Sequence, residues 1–311
     1  MTDKIALRNN NVPRYLFRAF SSKSGGGLGK MINNAHEVRP HGFMHGRQGH
    51  EFYDMTESQI YFMAHRHFRG DITVVTEFSS WAASLHLVLS YAFSMPSEHN
   101  PHVAIMDCKA LDRGVLVWHA THLIGLGEEE YLAHGVVRGK GYKAVSLKDL
   151  FDHGLRVVFP EILTDLEYDN YFGILLKVKM FRCEPIDISE SEALAIKRMG
   201  GLFGDLSLPV MTALSCLRPR PWNMVEDSGI SDAQIADRVI KLFDIDKVNV
   251  HPASEPWLKP NAVFTKDEEI LESYPEIEQW MWLLRAISQP HRNQVVERKT
   301  YNLRDLPGRR K

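Results

Sequence analysis

The sequence predicts an α+β fold, with a core of short strands and helices followed by a mainly helical C-terminal half. Three observations carry this expectation. Between residues 14 and 147, short β-branched and aromatic runs are separated by polar turns. Within that stretch, one longer segment places apolar residues at helical spacing and another opens on a capping box. After about residue 150 the strand-like runs give way to amphipathic segments, AQIADRVIKLF at 233–243 and EIEQWMWLLRAI at 276–287. A chain of 311 residues with 44% hydrophobic and 24% charged residues has enough apolar material for a full core. Its 37 Lys and Arg against 39 Asp and Glu leave a net charge of −2, so no bulk field draws it to nucleic acid or an anionic membrane.

Taken in order, residues 1–13 are polar, end in Pro13, and are expected to be a disordered lead-in. Arg14–Phe20 (RYLFRAF) has strand composition, and SSKSGGG after it reads as a flexible loop. Residues 31–54 carry many His, Gly and Pro residues without periodicity and are expected to form a long loop. Thr56 with Gln59 makes a capping box for a helix running to about His67. Ile72–Phe78 (ITVVTEF) reads as a strand, and Trp81–Phe93 (WAASLHLVLSYAF) as a buried helix. Strands are then expected at His102–Asp107, Gly114–Trp118, Tyr131–Val137 and Tyr142–Leu147. A second capping box, Ser231 with Gln234, opens the first of the late helices. The division drawn from this texture is 14–155, 156–290 and a basic tail at 291–311.

Several chemistries fall away on spacing. Cys108, Cys183 and Cys216 are far apart and form no CxxC, so neither a disulfide framework nor a Cys-rich zinc site is supported. Ser24–Met31 mimics a phosphate-binding P-loop but lacks the first Gly, where Ser24 stands, and the Mg²⁺-binding hydroxyl, where Met31 stands. His50-Glu51 is followed by Phe-Tyr-Asp and not by the second His of a zincin, so no metal is expected; His41, His45, His119 and His122 read as scattered histidines. No GxSxG elbow is present. With no apolar run of signal-peptide or membrane-span length, the expectation is a cytoplasmic protein without membrane partners, delivery as an effector remaining open.

Three segments remain, each placing polar groups on an apolar strand edge. Arg18 lies inside LFRAF, where a buried guanidinium needs an anionic partner, either a structural carboxylate or a phosphate. Ser79-Ser80-Trp81 follows a β-branched run; Ser79 is either a helix N-cap or a group holding a catalytic residue in place. Glu128-Glu129-Glu130 precedes Tyr131, and on an extended backbone Glu128 and Glu130 share a face that Glu129 does not. The ordinary reading of that run is a solvated acidic turn.

In this order the segments resemble the ADP-ribosyltransferase fold, in the Arg–Ser–Glu branch typified by heat-labile enterotoxin and cholera toxin. LFRAF followed by GGGLG stands for LYRAD and its Gly-Gly-Leu stretch, Ser79-Ser80-Trp81 for Ser-Thr-Ser, and Glu128-Glu129-Glu130 with Ala133 and Gly135 for the Glu-x-Glu strand entry. The chain is also similar to an uncharacterised fungal family. The resemblance covers about residues 14–150. It departs at Trp81, which replaces a hydroxyl, and in lacking the secreted toxins' signal peptide and cysteine pair.

This resemblance implies a mono-ADP-ribosyltransferase that takes NAD as substrate and modifies an unidentified acceptor protein, with arginine as the implied acceptor side chain. Cleaving the nicotinamide–ribose bond builds positive charge at the ribose, which a fixed carboxylate stabilises. Glu130 is implied in that role, Ser79 as its orienting group, Arg18 as pyrophosphate clamp, and Glu128 as the base toward the acceptor. Ser80 and Trp81 complete the implied NAD contacts. Two alternatives stay open: an NAD glycohydrolase, with water as acceptor, and an inactive interaction module on the same fold.

Overall fold

The structure, a computed structural model, describes residues 12–27, 29–127, 129–160, 184–221, 232–244 and 275–288. It is a mixed helix-and-sheet fold, as the sequence predicts. Among the described residues nine strands can be followed: β1 Tyr15–Phe20, β2 Ile32–Asn33, β3 Glu37–Arg39, β4 Phe78–Ala82, β5 His102–Asp107, β6 Leu116–His119, β7 Glu130–His134, β8 Val137–Arg138 and β9 Tyr142–Ser146. The α-helices are α1 Glu57–Phe68, α2 Leu85–Ser94, α3 Ala120–Ile124, α4 Leu147–Asp152, α5 Leu155–Val158, α6 Glu190–Gly201, α7 Ser207–Ser215, α8 Asp232–Phe243 and α9 Pro275–Ser288.

Six strands form one antiparallel sheet in the order β6-β7-β4-β1-β5-β9. β1 runs near its centre, which is why YLFRAF is apolar on both faces rather than alternating. β1 pairs with β5 along its whole length but meets β4 at the single register pair Phe17↔Ala82. The sheet therefore parts beyond Phe17, and Arg18 is the first residue past the junction. A small second sheet, β2-β3-β8, occupies part of the stretch expected to be loop at 31–54, because Val38 finds Val137 as a partner far along the chain.

Two boundaries differ from expectation for one reason. The strand expected at Ile72–Phe78 begins only at Phe78, where β7 first lies alongside through Phe78↔His134. Before that point Ile72 and Val75 are exposed at 55% and 39%, with no neighbouring strand among the described residues to pack against. The helix expected from Trp81 starts at Leu85, with Ser84 as N-cap, its hydroxyl accepting from the Leu87 amide at 2.9 Å. Trp81 and Ala82 belong to the strand. Similarly, Tyr131–Val137 is broken at Gly135, which adopts φ 108° and separates β7 from β8. The Thr56–Gln59 capping box forms as expected at the start of α1. The Ser231 cap, Cys183, residues 1–11 and the basic tail lie outside the described residues.

The late helices share the core of the sheet. Trp280 of α9 packs against Tyr15 and Phe17 at ring distances of 6.5 and 5.4 Å, and its indole N–H donates to Thr212 of α7 at 2.9 Å. Ser84 donates to the buried Glu276 carboxylate. Arg220, 1% exposed, ties these helices together: its guanidinium pairs with Glu192 of α6 and donates to the Ser215 and Ile186 carbonyls at 2.7 and 3.1 Å. Gln279 of α9 accepts from the Arg220 amide at 3.0 Å and donates to the Cys216 and Arg218 carbonyls. With every polar atom of that hub directed at a partner, the cost of burying the charges is offset. Among the described residues, one continuous apolar core thus crosses the expected boundary near 155.

Candidate functional site

Strand alternation decides which polar residues meet. On β4, Phe78, Ser80 and Ala82 face one way; their register partners on β7 are His134, Leu132 and Glu130. This face is covered by α1 and α3 and closes around Phe52, Phe78, Trp118 and Leu132. Ser79 and Trp81 face the other way, into the main core, opposite Ala133 and Tyr131.

Ser79 consequently does not orient Glu130. It is fully buried, accepts from the Trp81 indole N–H at 2.9 Å, and lies 3.5 Å from the Ala133 carbonyl. Trp81, 2% exposed, is packed edge-on against Tyr142 with its ring in the core, and it also lines the wall of the cavity described next. Ser80 stands where Ser79 was expected: it shares the Glu130 face of β4, and its proximity draws the Glu130 carboxyl down against the effect of burial.

A cavity of about 350 Å³ opens where β1 and β4 part. Arg18, Ser80 and Glu130 line it, with His67 and Phe68 from the end of α1 on one side and Leu87, Val88 and Tyr91 of α2 on the other. Among the described residues Arg18 forms no ion pair with a carboxylate, the first of the two anionic partners left open for it. Its Nη1 donates to the Ser80 carbonyl at 2.6 Å, the group a continued β1–β4 ladder would have satisfied, and Nη2 donates to Asn33 at 3.2 Å. Its buried Nε has no hydrogen-bond partner among the described residues. Burial pulls the guanidinium down to about 10, so it remains cationic at neutral pH.

His67 is the residue that sequence reasoning missed. It lies 3.0 Å from the Thr76 hydroxyl through Nδ1 and 3.0 Å from the Ser80 hydroxyl through Nε2. Burial, reinforced by the Arg18 charge, drops it to about 3, so the ring is neutral. A neutral ring donates from one nitrogen only. Of the Thr76 and Ser80 hydroxyls, one therefore accepts from the ring and the other donates to it. The signal was present in the sequence: Ile60, Met63, Ala64, His67 and Phe68 recur at helical spacing, which puts His67 on the buried stripe of α1.

Burial pushes the Glu130 carboxyl up; the Ser80 hydrogen bond and the Arg18 charge oppose this, and the Glu129 charge adds to it. Glu129 does not point away as expected. It is an exposed turn residue before the first strand position, so strand alternation does not govern it, and it lines the same cavity. Glu128 lies outside the described residues. The turn approaches the cavity wall closely at Gly127, where φ is +82° and a Cβ would sit 2.7 Å from the Phe68 ring.

Behind the cavity, buried Glu77 accepts from His134 Nε2 at 2.8 Å, His50 Nδ1 at 2.6 Å and the His50 amide at 3.0 Å. Burial alone would raise this carboxyl, but the hydrogen bonds from His134 and His50 outweigh it and hold Glu77 below its usual range. A carboxylate depressed in the folded state stabilises the fold above its unfolded pKa and loses that contribution as pH falls through the folded value. Urea titrations are therefore expected to show Glu77→Gln less stable than the parent at pH 7, with the gap closing below about pH 4. A gap independent of pH would mean that the carboxylate charge is not what this network uses. Among the described residues no group of three or more His, Cys, Asp or Glu side chains is arranged to hold a metal ion, and no helix is long and apolar enough to cross a membrane.

Residues 11–143 match the family model of a domain of unknown function, DUF7587. That is under half of the chain, yet it contains every side chain of the cavity. No curated protein and no solved structure matches the sequence.

Proposed function

We propose that this chain is a mono-ADP-ribosyltransferase that cleaves NAD in the cavity between β1 and β4 and passes ADP-ribose to an acceptor protein. The observation that carries this reading is the convergence on one cavity of Arg18 from β1, Ser80 from β4 and Glu130 from β7. The split antiparallel sheet supports an ADP-ribosyltransferase-like core, because it opens a cleft beside an otherwise buried cation and carboxylate.

In this reading Glu130 faces the ribose and stabilises the oxocarbenium-like charge as the bond to nicotinamide breaks. In the same reading Ser80, held at 3.0 Å by His67, supplies the donor that fixes the Glu130 carboxylate before the reaction, which avoids reorganisation during it. Arg18 presents its remaining guanidinium donors to the anionic part of NAD.

Incubation of the purified chain with NAD labelled in the adenylate half tests the proposal. Label on protein supports transfer, free ADP-ribose supports a glycohydrolase, and neither product ends both enzyme readings. The serines give a sharper check on the geometry. Ser80→Ala is expected to slow nicotinamide release about tenfold, the worth of one hydrogen bond to a charged group. Ser79→Ala is expected to lower the melting temperature by leaving the Trp81 indole without its acceptor, with little change in rate. The reverse pattern would put the wrong face of β4 in the site.

A further inference from the structure

We infer that a second, smaller cavity, walled by Lys30 and His41 and reinforced by the charge of Arg47, binds phosphate or a phosphomonoester. The inference is independent of the transferase reading. The cavity has a volume of about 160 Å³. His67 and Gly70 line it and the larger cavity alike, whereas Arg18, Ser80 and Glu130 do not border it. The His67 ring stands between the two: its Nδ1 partner Thr76 lines the smaller cavity and its Nε2 partner Ser80 the larger. At the ~30 Å³ that a water molecule takes in the liquid, the space holds about five waters, room for a phosphoryl group but not for a nucleotide.

Two loops bring the cations together. The glycine turn at Ser24–Gly26 folds back on the chain that follows it. A Cβ at Gly26 would sit 2.9 Å from the Lys30 stem and one at Gly25 2.6 Å from Met31 Sδ, and both residues have positive φ, +89° and +64°. Glycine at both positions lets the backbone lie against the Lys30 stem, and Lys30 is left half-buried in the cavity wall. The segment that fails as a P-loop on spacing thus still delivers a glycine turn and a lysine to one cavity. In the second loop His41 opens a turn anchored by the Gly42 amide, which donates to the Thr76 carbonyl at 2.8 Å. His45 Nε2 donates to the Gly29 carbonyl at 3.1 Å and joins the two loops.

The charges set the sign of the ligand. Among the described residues the side chains of Lys30, His41 and Arg47 make no hydrogen bond and no ion pair. They act on one another instead: burial, and then the charges of Lys30, Arg47 and His45, pull His41 below the usual histidine range. Asp71 is the one carboxylate in the wall among the described residues, and it is already engaged. It pairs with Arg66 at 2.6 Å and accepts from the Thr73 hydroxyl and amide at 2.5 and 2.9 Å. Like charges gathered around a cavity without an internal counter-ion repel until an anion enters. The Lys30 ammonium, the His41 ring N–H and the Arg47 guanidinium offer several donors from different directions, which suits the oxygens of a tetrahedral dianion better than a planar carboxylate.

The test uses the full chain with isotope-labelled histidine, titrated with inorganic phosphate, phenyl phosphate and acetate at constant pH and ionic strength. The His41 ring signal, assigned by its loss in His41→Gln, is expected to shift saturably with phosphate. Lys30→Gln is expected to weaken that binding about tenfold or more, as loss of a charge-assisted donor does. Arg47→Gln, at an exposed position where folding is not at stake, is expected to weaken it in the same direction by less. Lys148→Gln, at a surface lysine paired with Asp152, is expected to change nothing. Tighter binding of phenyl phosphate than of inorganic phosphate assigns the site to a monoester, and the reverse order to the free anion. An equal saturable shift with acetate overturns the phosphate class. No saturable shift at His41, or equal weakening by Lys148→Gln, overturns the site.

Discussion

Glu130→Gln is expected to lower nicotinamide release from NAD by about 10²- to 10³-fold, the usual loss when a preorganised charge facing the transition state is removed. The same substitution is expected to leave the protein at least as stable as the parent at neutral pH. The two effects have opposite signs for one reason. Burial raises the Glu130 carboxyl in the folded state, so its ionised form costs stability above its unfolded pKa. A neutral amide of the same shape removes that cost, and the difference in stability closes as pH falls and the parent carboxyl protonates. The parent's kcat/KM for NAD is expected to fall on the acid side with a midpoint above the ordinary 4.5 of a glutamate. Unchanged turnover in Glu130→Gln ends the catalytic assignment, and a loss of activity accompanied by unfolding assigns Glu130 to the fold instead.

What the sequence carried, and where it stopped, can be seen in β4. The apolar, β-branched run ITVVTEF looked like a strand by composition, and the Ser pair after it looked like a helix start. Composition reports burial, but a strand also needs a neighbour to pair with, and β7 arrives only at Phe78. Because the strand runs through Phe78–Ala82 instead of ending at Phe78, alternation puts Ser79 on the core face and Ser80 on the face of Glu130. Strands with partners close to their full length, such as His102–Asp107, were legible to the residue because pairing on both sides matched the apolar pattern. The cavity itself was legible only as a set of segments. Arg18 and Glu130 stood out as charges on apolar strands, whereas for His67 the helical spacing shows only that it lies on the buried stripe of α1; that this stripe docks against β4 and meets Ser80 is not written in either segment.

Arg18→Lys is expected to weaken NAD binding by about 10- to 100-fold in calorimetric titration, equivalent to roughly 1–3 kcal/mol. The argument starts from where the sheet parts. Phe17↔Ala82 is the last register pair between β1 and β4, and the Ser80 carbonyl beyond it is satisfied by Arg18 Nη1 at 2.6 Å rather than by a backbone amide. The guanidinium thus does two things at once: it closes the ladder where the strands diverge, and it carries a positive charge into the cavity floor. Lysine retains the charge but has a single nitrogen, which cannot donate to Ser80, Asn33 and an anionic ligand in the fixed directions of the planar fork. Without the Ser80 contact the strand edge that carries the Ser80 hydroxyl loosens, so the loss is expected to extend to the rate as well as the affinity. Combining Arg18→Lys with Ser80→Ala separates the two contributions. If Arg18 acts only through its own contact with the ligand, the losses add; if it also positions Ser80, the double variant loses less than the sum. Equal NAD affinity in Arg18→Lys, with unaltered stability, would remove Arg18 from the binding site and leave it as a brace between β1 and β4.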